Sequence, residues 1–113
     1  MQAAEYEIRE GWLLIRLCAD LDHHSAMAVR ETADRMLERS GVKNVLFDFS
    51  GIDFMDSSGI GVIMGRYRQV SFWGGRVGVT GASENIARIM NFSGLNKILS
   101  HYETVEDAVK ETV

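Results

Sequence analysis

The chain has 113 residues, the size of one domain, and we read residues 1–113 as a single unit. Its 46% hydrophobic and 25% charged residues are the usage of a packed core, not of a disordered segment. Sixteen acidic residues against twelve Lys and Arg leave a net charge of -4, which argues against a grip on nucleic acid or an anionic membrane. A single Cys allows neither an internal disulfide nor a multi-thiolate zinc site. The apolar run Trp12-Leu13-Leu14-Ile15 is far too short to span a bilayer, and Met1 to Glu5 lacks the regions of a signal peptide. The expectation is a cytoplasmic domain.

Taken in chain order, Tyr6-Glu7-Ile8 alternates before Glu10-Gly11, and Trp12 to Leu17 reads as a second strand. Gly11 allows a tight turn, so the pair predicts an antiparallel hairpin. A polar cluster from Asp20 to Ser25 precedes a helix beginning near Ala26, with Val29, Ala33, Met36 and Leu37 at helical spacing and Gly41 as its stop. Val45-Leu46-Phe47 with Asp48-Phe49 reads as a strand covered on both faces. After Asp56-Ser57-Ser58 a long helix runs to about Phe72, its buried stripe predicted at Ile60, Ile63, Tyr67 and Val70. Gly59, Gly61 and Gly65 interrupt that helix at about 1 kcal/mol each relative to Ala, a cost that suggests close approach of another backbone or room for a partner.

Val77-Gly78-Val79 follows as a further interior strand, and Ser83 caps a short helix with Ile86, Ile89 and Met90 inward. A last interior strand is expected near Ile98 to His101, centred on Ile98 and Leu99. Thr104 and Asp107 resemble a capping box opening a terminal helix with Val105, Ala108 and Val109 apolar. A hairpin followed by helix-strand alternation is an α/β domain. We expect a mixed, mostly parallel sheet with an antiparallel edge hairpin and about four helices.

Enzyme chemistry finds little support. Gly59-Ile60-Gly61-Val62-Ile63-Met64-Gly65 misses the dinucleotide fingerprint because Met64 stands where the third small residue belongs. Neither Ser57 nor Ser58 lies in a Gly-x-Ser-x-Gly elbow, and no P-loop is present. His23 and His24 are adjacent, so their side chains diverge and make a poor chelating pair; no metal site is expected. His101 and Cys18 read as core residues.

Asp56-Ser57-Ser58-Gly59-Ile60-Gly61 carries more information. Asp and Ser favour helix N-caps, and capping alone accounts for them. The same helix end, with free amides and a positive dipole, also favours a phosphate on a serine. These residues leave the choice between Ser57 and Ser58 open.

The stretch from Phe54 through Asp56-Ser57-Ser58-Gly59 to Arg66-Tyr67 closely resembles the signature of bacterial anti-sigma factor antagonists, which belong to the sulphate transporter and anti-sigma factor antagonist (STAS) domains. Leu21-Asp22-His23-His24-Ser25-Ala26 and Asn91-Phe92-Ser93-Gly94-Leu95 resemble segments of the sporulation branch, so the similarity spans almost the whole chain. The resemblance implies a single STAS-like domain and no enzyme. It implies a direct partner, an anti-sigma factor that is also a serine kinase and that releases its sigma factor when bound. The sigma factor is then met only indirectly. Ser57 would be the phosphorylated residue, and a metal-dependent serine phosphatase would remove the mark. ATP and metal belong to those enzymes, so the antagonist itself needs no cofactor. Asp56, Ser57, Ser58, Gly59 and Gly61 would form the partner surface, with Asp22, His23 and His24 beside it. An alternative is a module that binds nucleotide or another anion noncovalently, although no Lys or Arg lies between Ile52 and Met64.

Overall fold

The computed structural model describes residues 2–111. Glu10 and Gly11 take φ values of 51° and 85°, the paired left-handed residues of a two-residue turn that matches strand twist. Strand β1 (Ala4–Arg9) therefore folds back on β2 (Trp12–Leu17), with Arg9 opposite Trp12 and Ala4 opposite Leu17. From β2 onward the pairings are parallel: β3 (Asn44–Asp48), β4 (Val77–Thr80) and β5 (Ser100–His101) complete a five-stranded sheet in the order β1-β2-β3-β4-β5. Helices α1 (His23–Ser40), α2 (Ser57–Phe72) and α3 (Glu84–Ser93) connect the parallel strands, and α4 (Val105–Glu111) follows β5.

Alternation along the strands builds two cores. Leu13, Ile15 and Leu17 of β2 and Val45 and Phe47 of β3 face α1, α2 and α3. Trp12, Leu14 and Leu46 face the other way and pack with Ala108 and Val109 of α4. The Trp12 ring meets Tyr102 edge to face at 5.9 Å. Both faces of the central strands are covered, which is why they read as continuous apolar runs.

Four expectations need correction. Helix α1 starts at His23, not near Ala26, because Asp22 and Ser25 form a reciprocal capping box. The last strand is Ser100–His101, not Ile98–Leu99, because Leu95–Lys97 forms a 3-10 turn and Ile98 is its cap; being the sheet edge, this strand is not interior. Cys18 and His101 are exposed, the first beyond the end of β2 and the second on that edge. The buried stripe of α2 is Gly59, Val62, Ile63, Arg66 and Val70, with Ile60 and Tyr67 only partly covered.

Arg66 is the unexpected member, with 7% exposure. Its Nε lies 3.3 Å from Asp34 of α1 and donates to Gln69 at 3.1 Å, while Nη1 is buried with no hydrogen-bond partner among the described residues. Burial pushes the guanidinium pKa down, and Asp34 opposes that shift.

Candidate functional site

In a parallel sheet the chain leaves each strand at the same edge, and here the segments after β2 and β3 run beside each other there. Leu21 and Met55 form an isolated parallel bridge: Leu21 N–H donates to the Phe54 carbonyl at 3.2 Å, and Asp56 N–H donates to the Leu21 carbonyl at 3.0 Å. Each bridge residue immediately precedes the cap residue of its helix. The bridge therefore sets the N-termini of α1 and α2 side by side.

At the first of these ends, Asp22 accepts from Ser25 N–H at 2.9 Å, and its own N–H donates to Ser25 Oγ at 3.0 Å. Donation from Ser25 N–H and from the Ser25 hydroxyl, at 3.1 Å, holds the Asp22 carboxyl below its ordinary pKa. His23 and His24 occupy the exposed first turn. His23 lines a groove of about 300 Å³ with Met27 and Arg30 of α1 and Ser58, Gly61 and Val62 of α2; His24 does not.

At the second end, the Asp56 carboxylate accepts from Ser58 N–H at 2.8 Å. Ser57 and Ser58 are thus the first two residues of the helix, not residues ahead of it. Ser57 is exposed, whereas Ser58 is half-buried and lines the groove. Gly59 is buried. A Cβ there would lie 2.7 Å from Leu21 Cβ and 2.9 Å from Met55 Cβ, so the close approach that its missing side chain permits is to the chain's own bridge. At Gly61 an added Cβ would meet no described atom within 4 Å, so this position faces open space.

The structure thus gathers Asp22, His23, Asp56, Ser57, Ser58 and Gly61 on one surface, leaves His24 outside the groove, and spends Gly59 inside the fold. Residue-by-residue reading does not find Asp20, Met27, Arg30, Phe54 and Asn85. Asp20 and Asn85 bond to the loop before α2, Met27 lines the groove with Ser58, and Phe54 of that loop is about half exposed. Arg30 supplies a cation from another element, which counting cations along residues 52–64 could not register.

A second groove, of about 460 Å³, lies on the opposite face between β1 and α4. On its walls Arg9 pairs with Glu7 at 3.0 Å and Arg16 with Glu5, and it contains neither serine. Among the described residues no three His, Cys, Asp or Glu side chains converge as a metal site, and no helix is long and apolar enough to cross a membrane.

Comparison with known proteins identifies the family. The anti-sigma F factor antagonist of Paenibacillus polymyxa is 36% identical over 107 residues, spanning 95% of this chain and 92% of that protein. The Bacillus cell fate determinant SpoIIAA in its phosphorylated form is 28% identical, with a TM-score of 0.78 over 98% of this chain and all of that one. The anti-sigma factor antagonist SpoIIAA in its unphosphorylated form superposes with a TM-score of 0.77 at 24% identity, over 96% of each chain. The STAS domain model matches residues 3–108, and the chain belongs to the STAS domain family.

Proposed function

We propose that this chain is an anti-sigma factor antagonist of the sporulation type, a protein-binding switch without an enzymatic activity of its own. Unmodified, it binds an anti-sigma factor serine kinase, which then lets go of its sigma factor. The kinase turns the switch off by phosphorylating Ser57. In that step the Ser57 oxygen bonds to the γ-phosphorus of ATP, the bond from that phosphorus to ADP breaks, and the hydroxyl proton is lost. A serine phosphatase restores the binding form by hydrolysis.

The observation that carries this reading is the contrast between the two serines. Ser57 is exposed at the first position of α2, while Ser58 is half-buried, with its N–H held by Asp56. A kinase cleft can take an exposed hydroxyl at a helix end without melting the helix. Asp22, His23, His24, Asp56, Ser58 and Gly61 surround it as the partner surface, and Gly59 contributes by letting the bridge seat the helix.

The test is incubation with the kinase and ATP, followed by fragmentation of the modified peptide. Phosphate should map to Ser57, and Ser57→Ala should abolish it while leaving kinase binding largely intact. Full modification of that variant at Ser58 would overturn the assignment.

A further inference from the structure

We propose that Asp20 is a positioning residue for the phosphoacceptor: its carboxylate fixes the backbone of residues 53–54, so that Phe54 and Ser57 meet a partner as one preset surface. This rests on the antagonist reading above and deepens it.

One carboxylate oxygen of Asp20 accepts from two consecutive amides, Asp53 N–H at 3.1 Å and Phe54 N–H at 3.2 Å. Two donors converging on one acceptor fix orientation as well as distance. From the other side, Asn85 in the first turn of α3 donates its amide to the Asp53 carbonyl at 2.8 Å. Residue 53 is therefore gripped at its N–H by one loop and at its carbonyl by a helix.

Asp20 and Asp53 are exposed, so these bonds support no buried side chain. What they determine is the course of the loop. Ile52 and Met55 are buried, whereas Phe54 between them is 47% exposed. Pairing of Leu21 with Phe54 and Asp56 then carries the fixed backbone directly into the cap of α2 and Ser57. An exposed aromatic on a preset backbone is suited to anchor a partner, because little ordering is left to occur on binding. Loss of the Asp20 grip would leave the core intact and let this surface wander.

The experiment measures steady-state phosphorylation of the full chain by the anti-sigma factor kinase with ATP, together with backbone amide exchange. Asp20→Ala should raise KM for the chain about tenfold with a smaller change in kcat, since the loosened surface must then be ordered on binding. Asp20→Asn keeps an oxygen acceptor and should restore KM to within about twofold of wild type. Amides of Asp53 and Phe54 should exchange faster in Asp20→Ala and not in Asp20→Asn. Circular dichroism must show both variants folded at the assay temperature. Should Asp20→Ala not fold, Asn85→Ala, which removes the opposite grip, carries the same expectation. A wild-type KM in a folded alanine variant would overturn the proposal, as would equal impairment of Asp20→Asn, which would assign the effect to charge. Wild-type protein that takes no phosphate would instead overturn the antagonist reading, and this inference with it.

Discussion

An alanine at Gly59 would drive its Cβ against Leu21 and Met55, the two residues whose bridge joins the helix ends. Overpacking of this kind costs about 1–3 kcal/mol, and the better helix propensity of Ala offsets about 1 of it. At Gly61 the same substitution meets open space and should stabilise the helix by about 0.5–1 kcal/mol. Gly59→Ala should therefore lower the urea midpoint while Gly61→Ala raises it. If Gly61 belongs to the partner surface, its alanine variant should also bind the kinase more weakly despite its greater stability. Unchanged binding by that variant would remove Gly61 from the interface. Asp22 makes a different contribution, one that depends on pH. Ser25 holds its carboxyl below the ordinary aspartate value, so folding favours the ionised form. The stabilisation is complete above the unfolded value, about 3.9, and is lost as the pH falls through the lowered folded value. Denaturation midpoints of Asp22→Asn should accordingly fall less across that acid window than those of wild type. Parallel profiles would show that the cap carries no charge-linked stability.

Contact between α1 and α2 includes a buried cation, Arg66, set against Asp34 of α1. Asp34 is partly exposed while Arg66 is not, so removing the carboxylate strands a buried guanidinium that already lacks one partner among the described residues. Breaking a fully buried pair costs about 3–5 kcal/mol; with the Asp34 side chain partly exposed, about 1–2 kcal/mol is expected for Asp34→Ala. Arg66→Met keeps much of the apolar stem and should be close to neutral, and adding Asp34→Ala to it should cost almost nothing further. Additive losses in urea denaturation would show that the two groups act independently. The elements themselves are largely legible in the sequence, since Val29, Ala33 and Leu37 or Val45 and Phe47 sort by period alone. Arg66 is not, because an apolar count cannot register a cation whose carboxylate lies on another helix. The onset of α1 reads late because His23 and His24 look like loop, although Asp22 with Ser25 three residues on holds the signal of a cap. Ile98 and Leu99 look like a strand by composition, but the 3-10 turn and its cap take up this stretch. The serines and their cap aspartate stand out in the sequence as a local motif. Asp20 and Asn85 do not, because their hydrogen-bond partners lie 33 and 32 residues away and only the fold brings them together.

On the scale of the whole molecule, the candidate switch sits at the C-terminal ends of β2 and β3, against one core and away from the other. Ser57 is exposed at the start of α2, and the cluster that holds α4 against Trp12 and Leu46 shares no residue with it. A phosphate on Ser57 adds about two negative charges. At an exposed helix N-terminus an anion is favoured by about 0.3–1 kcal/mol, so the free protein has little reason to refold. In a packed interface the same group must shed water, and an unmatched charge costs several kcal/mol. Asp53 and Asp56 stand close in sequence, and the net charge of -4 adds no compensating cation. Arg30 lines the groove on the Ser58 side and can relieve only part of that cost. A loss of about 4 kcal/mol weakens binding roughly a thousandfold, enough for a switch without any change of fold. On phosphorylation, amide shifts should therefore move chiefly from Asp56 to Gly61, with a smaller response from Asp22 to Ser25 across the Leu21–Met55 bridge. Large shifts through α4, from Val105 to Val109, would show that phosphate acts by remodelling the domain, because that helix packs on the far face of the sheet and a signal from Ser57 must pass through the strands to reach it.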